Sequence, residues 1–241
     1  LLGTCSYRNS KPRKIENFPI IQFIACSSTF TAIIDGDSQL WMSESLNSPV
    51  RLWNTAQFNR LDFADKVSAV ACGSQHTVCI LQNGEMYSFG GNRFGQLGLG
   101  DKENRRSPIQ IPNCPTDIVN VACGSNHSLL LSSSGVVFGF GLNIQGQIGL
   151  GATRTVMTVT EISSMPAIRQ VCCGSDHSQC IDHSGDVWGF GSNANGRLGL
   201  GAVITKQKTP NGCLAKGLFI SHKEEAIPYI TILMVKSGSA D

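Results

Sequence analysis

Residues 121–128, Val-Ala-Cys-Gly-Ser-Asn-His-Ser, decide the fold because the same pattern occurs three times. Residues 70–77 are Val-Ala-Cys-Gly-Ser-Gln-His-Thr, and residues 171–178 are Val-Cys-Cys-Gly-Ser-Asp-His-Ser. The glycine of this motif recurs after 51 residues and then after 50 residues, at Gly73, Gly124 and Gly174. A constant period near 50 residues predicts one supersecondary unit that is copied along the chain.

A glycine-rich block follows each of these motifs at the same period. Its copies begin with Phe-Gly and end with Gly-Leu-Gly or its equivalent, at residues 89–100, 140–151 and 190–201. The intervening residues are short apolar runs, separated by turn pairs such as Asn83-Gly84 that tolerate the positive φ of tight hairpins. We therefore predict four short antiparallel strands per copy, which is the composition of a β-propeller blade.

Residues 20–66 resemble a degenerate first copy. Phe30 stands at the position of the histidine, and the glycine-rich block is missing. Residues 48–52 resemble residues 107–111, so we expect the fourth strand of this copy there. The predicted organisation is an N-terminal tail (1–19), a degenerate first blade (20–66), three well-formed repeats (67–201), and an irregular segment with a truncated blade near residues 232–238 (202–241).

Composition excludes several classes of protein. With 41% hydrophobic residues the chain of 241 residues is not disordered throughout, and a net charge of +2 gives nucleic acid or chromatin binding only weak support. The longest apolar run, residues 226–235, is far shorter than the roughly 20 residues of a membrane-spanning helix, so we expect no membrane partner. The chain begins Leu1-Leu2, with no initiator Met and no signal-peptide pattern, which is compatible with a fragment and leaves that question open.

The two linked motifs resemble the repeat of the regulator of chromosome condensation family. The resemblance is carried by Gly-x-x-His at 73–76, 124–127 and 174–177 and by the Asn-x-x-Gly-Gln-Leu-Gly block that starts at Asn92. It implies a seven-bladed propeller. Four to five copies are too few to close such a ring, so we expect a partial or open propeller: a fragment, an open arc, or half of a homo-oligomer that completes the ring. A kelch-type propeller would need a recurrent glycine doublet, and only Gly90-Gly91 provides one in these turns.

The histidines allow two interpretations. As metal ligands they would have to converge on the propeller axis, although no carboxylate or thiolate accompanies each of them. As structural residues they would hydrogen-bond the local backbone at the start of a strand. The resemblance also places a partner-binding loop at the residue before each histidine and at the histidine itself. The candidate residues are Gln75, His76, Asn126, His127, Asp176 and His177.

Cysteines and glycines have structural explanations. Cys72, Cys123 and Cys173 are equivalent, and Cys172 occupies the position of an alanine, which predicts buried reduced thiols in the cytoplasm or nucleus. Glycines of the repeat serve turns and close approaches rather than a nucleotide site. The structural glycines of the two motifs are Gly73, Gly124, Gly174, Gly98, Gly149 and Gly199. We expect no cofactor and no metal, and no catalytic set is recognisable.

The sequence thus predicts a protein–protein interaction module that binds a protein partner through loops on one propeller face. The resemblance leaves two alternatives. The first is a guanine nucleotide exchange factor for a Ran-like small GTPase, for which Asp176 is the only carboxylate at the matching loop positions. The second is the targeting fragment of a larger ubiquitin-pathway or kinase-linked protein.

Overall fold

Four antiparallel β-sheets of four strands each make up the computed structural model of the protein, which describes residues 19–28, 30–43, 58–152, 154–199 and 206–213. Within every sheet the strands are neighbours in chain order. The only helix in the described part is a single 3₁₀ turn at Ala194–Gly196. The predicted all-β class with four-stranded blades is confirmed.

The strands occupy equivalent places in the four copies. Sheet 1 has β1 (Ile21–Cys26), β2 (Thr31–Asp35), β3 (Leu40–Met42) and β4 (Asn59–Leu61). Sheet 2 has β5 (Val67–Cys72), β6 (His76–Leu81), β7 (Met86–Gly90) and β8 (Arg105–Gln110). Sheet 3 has β9 (Ile118–Cys123), β10 (His127–Ser132), β11 (Val137–Gly141) and β12 (Val156–Glu161). Sheet 4 has β13 (Ile168–Cys173), β14 (His177–Asp182), β15 (Val187–Ser192) and β16 (Lys206–Cys213).

The repeated histidine fixes the register of each second strand. His76 pairs with Gly90, His127 with Gly141 and His177 with Gly191. Each of these glycines has a φ between +104° and +108°, a conformation that side chains other than hydrogen disfavour. The Phe-Gly dipeptide ends the third strand in sheets 2 and 3, and in sheet 4 the strand continues one residue further, to Ser192.

Apolar layers join each sheet to the next. The layer between sheets 2 and 3 shows the pattern: one face of each sheet supplies five buried side chains. They are Ala71, Val78, Ile80, Met86 and Ile111 on one side and Ile118, Val121, Cys123, Leu130 and Phe140 on the other. Similar layers join sheet 1 to sheet 2 and sheet 3 to sheet 4. Burial of this apolar surface is what holds together units that lie 50 residues apart in sequence.

Two expectations about strand positions need correction or extension. The fourth strand of the first copy is β4 at Asn59–Leu61, whereas the expected residues 48–52 lie outside the described part of the chain. Residues 206–213, in the segment expected to be irregular, form the outer strand of sheet 4 and extend the third well-formed repeat beyond residue 201. Residues 1–18 and 232–238 also lie outside the described part, and the expectations about them stay open.

Sheets 1 and 4 lie at the two ends of the described series, and this changes the burial of two thiols. Cys26 is exposed because no described sheet precedes sheet 1, and Ile24 on the same strand is 53% exposed. Cys172 is exposed because no described sheet covers that face of sheet 4, although the equivalent Ala122 is fully buried. The prediction that Cys172 is buried is therefore wrong for this terminal sheet.

Candidate partner-binding loops

Two sets of loops lie at one end of the sheets, which we call the loop end. The first set comprises the short hairpin loops between first and second strands, at residues 73–75, 124–126 and 174–176. The second set comprises the loops after the third strands, which begin at residues 91, 142 and 193. The tight turns between second and third strands, such as residues 82–85, lie at the opposite end, which we call the turn end.

Hydrogen bonds between sheets fix the hairpin loops. The Ser74 amide donates to the Ser125 carbonyl at 3.2 Å, and the Ser125 amide donates to the Ser175 carbonyl at 3.0 Å. The hydroxyls of Ser125 and Ser175 are also 2.9 Å apart, and the Ser175 hydroxyl lies 3.1 Å from Asp176 Oδ2. The backbone of these loops is therefore a ladder that runs from sheet to sheet.

His76 and His127 each form a hydrogen bond to a side chain of the following sheet. His76 Nε2 lies 2.9 Å from Ser128 Oγ, and His127 Nε2 lies 2.9 Å from Ser178 Oγ. Because the Ser178 hydroxyl donates its proton to the Gln147 carbonyl at 2.7 Å, it accepts the bond from His127 Nε2–H. The His127 imidazole is thus neutral and donates from Nε2. The prediction that this side chain hydrogen-bonds the local backbone is wrong, because its partner is a hydroxyl of the next sheet.

Burial keeps these imidazoles neutral. His76 and His127 are fully buried, and desolvation lowers the pKa of each to about 3. Their Nδ1 atoms have no hydrogen-bond partner among the described residues. His177 on the terminal sheet is only half-buried, and burial, followed by the nearby Arg197 cation, lowers its pKa as well.

The residue before the histidine is at least partly accessible in each hairpin loop. Gln75 is exposed, whereas Asn126 and Asp176 are half-buried. The Oδ1 atom of Asn126 accepts a bond of 3.4 Å from Gln96 of the neighbouring loop. The side chains of His76 and His127 do not reach the surface, so as partner-binding residues these two candidates are excluded by burial.

Gly124 shows why each motif needs its glycine. A Cβ atom at this position would lie 2.1 Å from Cε1 of His127 and 2.6 Å from the carbonyl oxygen of Gly174. Gly73 has the same surroundings, formed by His76 and Gly124. The histidine ring and the next sheet therefore occupy the space of the missing side chain.

The glycine-rich blocks close on themselves instead of presenting amides to a ligand. Asn143 is fully buried; its Oδ1 accepts the Ile148 amide at 2.8 Å and its Nδ2 donates to the Ala152 carbonyl. Asn92 and Asn193 accept the equivalent amides. Gly98, Gly149 and Gly199 have φ angles of +71°, +84° and +72°. A Cβ on Gly149 would also lie 3.0 Å from the Phe190 ring of the next sheet.

An aspartate–tryptophan pair recurs in the first and last sheets, and the sequence analysis missed it. Asp35 Oδ2 accepts the Trp41 indole N–H at 2.6 Å, and Asp182 Oδ2 accepts the Trp188 indole N–H at 2.9 Å. In each case Oδ1 accepts two amides of the following turn. The bond from the Trp188 indole, with those from the turn amides, lowers the pKa of Asp182. A residue spacing of six, counted at equivalent positions, would have revealed these turn caps.

Two equivalent buried thiols contact the backbone of the preceding sheet. Cys123 Sγ lies 3.6 Å from the Ala71 carbonyl of the preceding sheet, and burial raises its pKa to about 12. Cys173 Sγ bears the same relation to Ala122, at 3.6 Å. The eight cysteines between residues 26 and 180 form no disulfide. Within the described ranges no group of three or more His, Cys, Asp or Glu side chains is arranged to hold a metal ion, and no helix there is long and apolar enough to cross a membrane.

Comparison with known families agrees with this geometry. The sequence profile of the regulator of chromosome condensation (RCC1) repeat matches residues 83–131 and 134–181, and a second profile of this repeat matches residues 67–96 and 118–147. The chain carries regulator of chromosome condensation repeats. The RCC1 Asn, Gly and His positions are those that make the bonds between sheets and within loops described above.

Several curated proteins share these RCC1 repeats. The X-linked retinitis pigmentosa GTPase regulator of Mus musculus is 34% identical over 173 residues, which are 67% of this chain and 17% of that protein. The E3 ubiquitin-protein ligase MYCBP2 of Danio rerio is 40% identical over 90 residues, 37% of this chain and 2% of that protein. The chain thus spans a small part of these relatives.

Two solved structures share the fold. Prp20p from Saccharomyces cerevisiae superposes with a TM-score of 0.72 at 21% identity, over 83% of this chain and 52% of that chain. Human WBSCR16 superposes with a TM-score of 0.69 at 22% identity, over 80% of this chain and 51% of that chain. The four described sheets correspond to about half of each solved structure.

Acidification should destabilise the fold through the buried histidines. Unfolding returns His76 and His127 to an ordinary pKa near 6.5, so below that pH the unfolded state binds more protons than the folded state. The contribution of these two histidines to the free energy of unfolding is therefore fully present above pH 6.5 and decreases as the pH is lowered towards 3. Between pH 7.5 and 5 we expect a loss of about 2 kcal/mol for each of the two histidines, measured by urea unfolding.

The control is His127→Phe, because Phe30 already occupies this position in the first copy. The substitution should remove the share of the pH dependence that belongs to His127, although it lowers stability at pH 7.5. Equal free energies of unfolding at pH 7.5 and 5 in the unmodified protein would contradict the neutral buried state.

Alanine at Gly124 should be far more destabilising than alanine at Gly196. Gly124→Ala places a methyl group in the space that the His127 ring and the Gly174 carbonyl occupy. We expect the free energy of unfolding to fall by on the order of 3 kcal/mol or more. Gly196→Ala meets nothing within 4 Å and has only its φ of +69° to overcome, at about 1 kcal/mol. Chemical denaturation of both variants checks the difference; equal midpoints would contradict the close packing.

Proposed function

We propose that this protein is a non-catalytic interaction module that binds a protein partner at its loop end. The observation that carries the proposal is that some residues of each hairpin loop fix its position whereas another is accessible and variable. Bonds between sheets hold the serine and the histidine, while the residue before the histidine is partly accessible and differs between the copies: Gln75, Asn126 and Asp176. A rigid scaffold that displays variable side chains is typical of binding surfaces.

The absence of chemistry in the motifs supports binding rather than catalysis. The imidazoles of His76 and His127 are buried and neutral, so they neither contact a substrate nor exchange protons at ordinary pH. Several amides of the glycine-rich loops donate to Asn and Gln side chains of the same loops, as the Phe94 amide does to Gln96, and others donate to backbone carbonyls. Reduced thiols fit the cytoplasm or the nucleus.

Relatives supply partner classes for the proposal. The study of Prp20p concerns its binding to Gsp1p and histones, and another similar protein is a GTPase regulator. The similarity to an E3 ubiquitin-protein ligase supports the alternative that the repeats are the targeting part of a longer ubiquitin-pathway protein. In each case the repeats would provide a surface, and binding energy would come from a few accessible side chains.

A competition experiment tests the loop end. A photo-reactive p-benzoylphenylalanine replaces Asn126, and we expect a discrete cross-linked adduct in a cell extract that excess unmodified protein removes. The variant Gln75→Trp/Asn126→Trp, which leaves the net charge unchanged, should compete at least tenfold less well because two bulky side chains block the loops. The matched variant Gln82→Trp/Ser133→Trp places the same side chains on exposed positions of the turn end and should compete fully. Equal competition by both variants would refute binding through the hairpin loops.

Exchange-factor activity is the second candidate, favoured by the shared fold with Prp20p. A protein that binds the nucleotide-free form of a GTPase more tightly weakens nucleotide binding by the same factor. Release of a fluorescent guanine nucleotide from a panel of Ran-like GTPases measures this directly. Acceleration that Asp176→Asn abolishes would support exchange, and unchanged release across the panel would leave the module as a binding protein alone.

A further inference from the structure

Charge is distributed unequally between the two ends of the sheets. Among the described residues from 19 to 199 the loop end has three carboxylates and six cations, which are Arg93, Lys102, Arg105, Arg106, Arg154 and Arg197. The turn end of the same residues has nine carboxylates and three cations. A chain that is nearly neutral overall therefore has one basic end and one acidic end, and such a field favours partners of opposite charge at each.

Most of the loop-end cations have no carboxylate partner. The only ion pair that the described residues form there joins Arg105 to Asp101 at 2.5 Å. Arg93 lies over the Phe94 ring at 5.8 Å and is exposed, and Arg154 is exposed as well. These cations remain solvated and available for a charged partner.

The repeat does not require these cations. The position of Arg93 is occupied by Ile144 and Ala194 in the next two copies. The position of Arg197 is occupied by Gln96 and Gln147, whose Oε1 atoms accept amides of their own loops. Since the loop closes with a neutral or apolar residue at these places, the positive charge is a property of this surface and not of the fold.

An exposed apolar side chain lies at the loop end as well. Ile144 is 50% exposed at the tip of the middle loop, and the equivalent positions of the flanking loops are Arg93 and Ala194. An exposed aliphatic residue with a polar rim is the usual composition of a protein contact. A neighbouring cation adds attraction at long range and selects for carboxylates.

Resting on the proposed function, we propose that the loop end binds an acidic protein segment, whose carboxylates face Arg93 and Arg154 and whose apolar side chain contacts Ile144. A continuous phosphate backbone fits this end less well. Asp176 and the exposed Glu103 lie among the cations, and a nucleic acid would bring phosphates towards both. A protein segment can place its carboxylates selectively.

Fluorescence anisotropy with a defined probe tests the proposal. The probe is a labelled nonapeptide of alternating Asp and Glu with one central Leu, titrated with the full chain at 50 mM and 200 mM salt. We expect saturable binding that weakens with salt, and at least a tenfold loss of affinity in Arg93→Glu/Arg154→Glu. The control Lys66→Glu/Arg169→Glu makes the same change of net charge at the turn end and should alter affinity less than twofold. Thermal unfolding verifies that both variants are folded.

Three results would overturn the proposal. They are no saturable binding of the peptide, equal losses in the two charge-reversal variants, and tighter binding of a 20-base-pair DNA duplex than of the peptide, which would assign the surface to nucleic acid. Replacement of the central Leu by Ser should weaken the peptide further, and unchanged affinity would remove Ile144 from the contact. If the cross-linked adduct formed from position 126 persists in Arg93→Glu/Arg154→Glu, the partner is not acidic although the interaction function stands.

Discussion

The hydrogen bond from a buried histidine to the hydroxyl of the next sheet is the constraint on which the rest of the structure depends. His127 and Ser178 lie 51 residues apart, and their side chains meet at 2.9 Å in the interior. A buried polar group without such a partner costs free energy, so the sheets must meet in the one relative position that satisfies it. Apolar burial provides most of the attraction between sheets, but it is not directional and would permit sliding.

This hydrogen bond explains why the same motif is repeated along the chain. The ring of His127 reaches Ser178 only because Gly124 leaves room beneath it, and the Gly174 carbonyl enters the same space. The motif therefore repeats as a unit: glycine, two loop residues, then histidine. The residue just before the histidine takes no part in this contact between glycine and histidine, and it differs between the copies as Gln75, Asn126 and Asp176.

The fold could be predicted from the sequence wherever an interaction repeats at a fixed period. The three well-formed copies, their turns and their strand order follow from Gly and His positions that recur every 50 or 51 residues. The fourth strand β16 was missed because an outer strand has one packed edge and few positional requirements. In the first copy the strand at Asn59–Leu61 has no motif at all.

Candidate site residues were harder to predict, because sequence gives the position of a side chain but not its direction. His76 and His127 looked like surface candidates, yet only the neighbouring sheet reveals that both rings are enclosed. Cys172 looked like its buried counterparts, and its exposure follows from its place in the last described sheet. The charge of the loop end was hidden by near-neutral overall composition, because it depends on which loops share an end.

Phe30 has a consequence for how the molecule responds to acid. We call the contact between two neighbouring sheets a seam. The first seam, between sheets 1 and 2, contains the Phe30 ring where the second and third seams contain the imidazoles of His76 and His127. Phe30 packs against the apolar cluster of the first seam. Protons therefore have nothing to titrate at this position of the first seam, whereas His76 and His127 make the second and third seams proton-sensitive. The three contacts between sheets are therefore of two kinds. The contact between sheets 1 and 2 does not depend on pH at this position, whereas the other two are both destabilised as the solution becomes acidic.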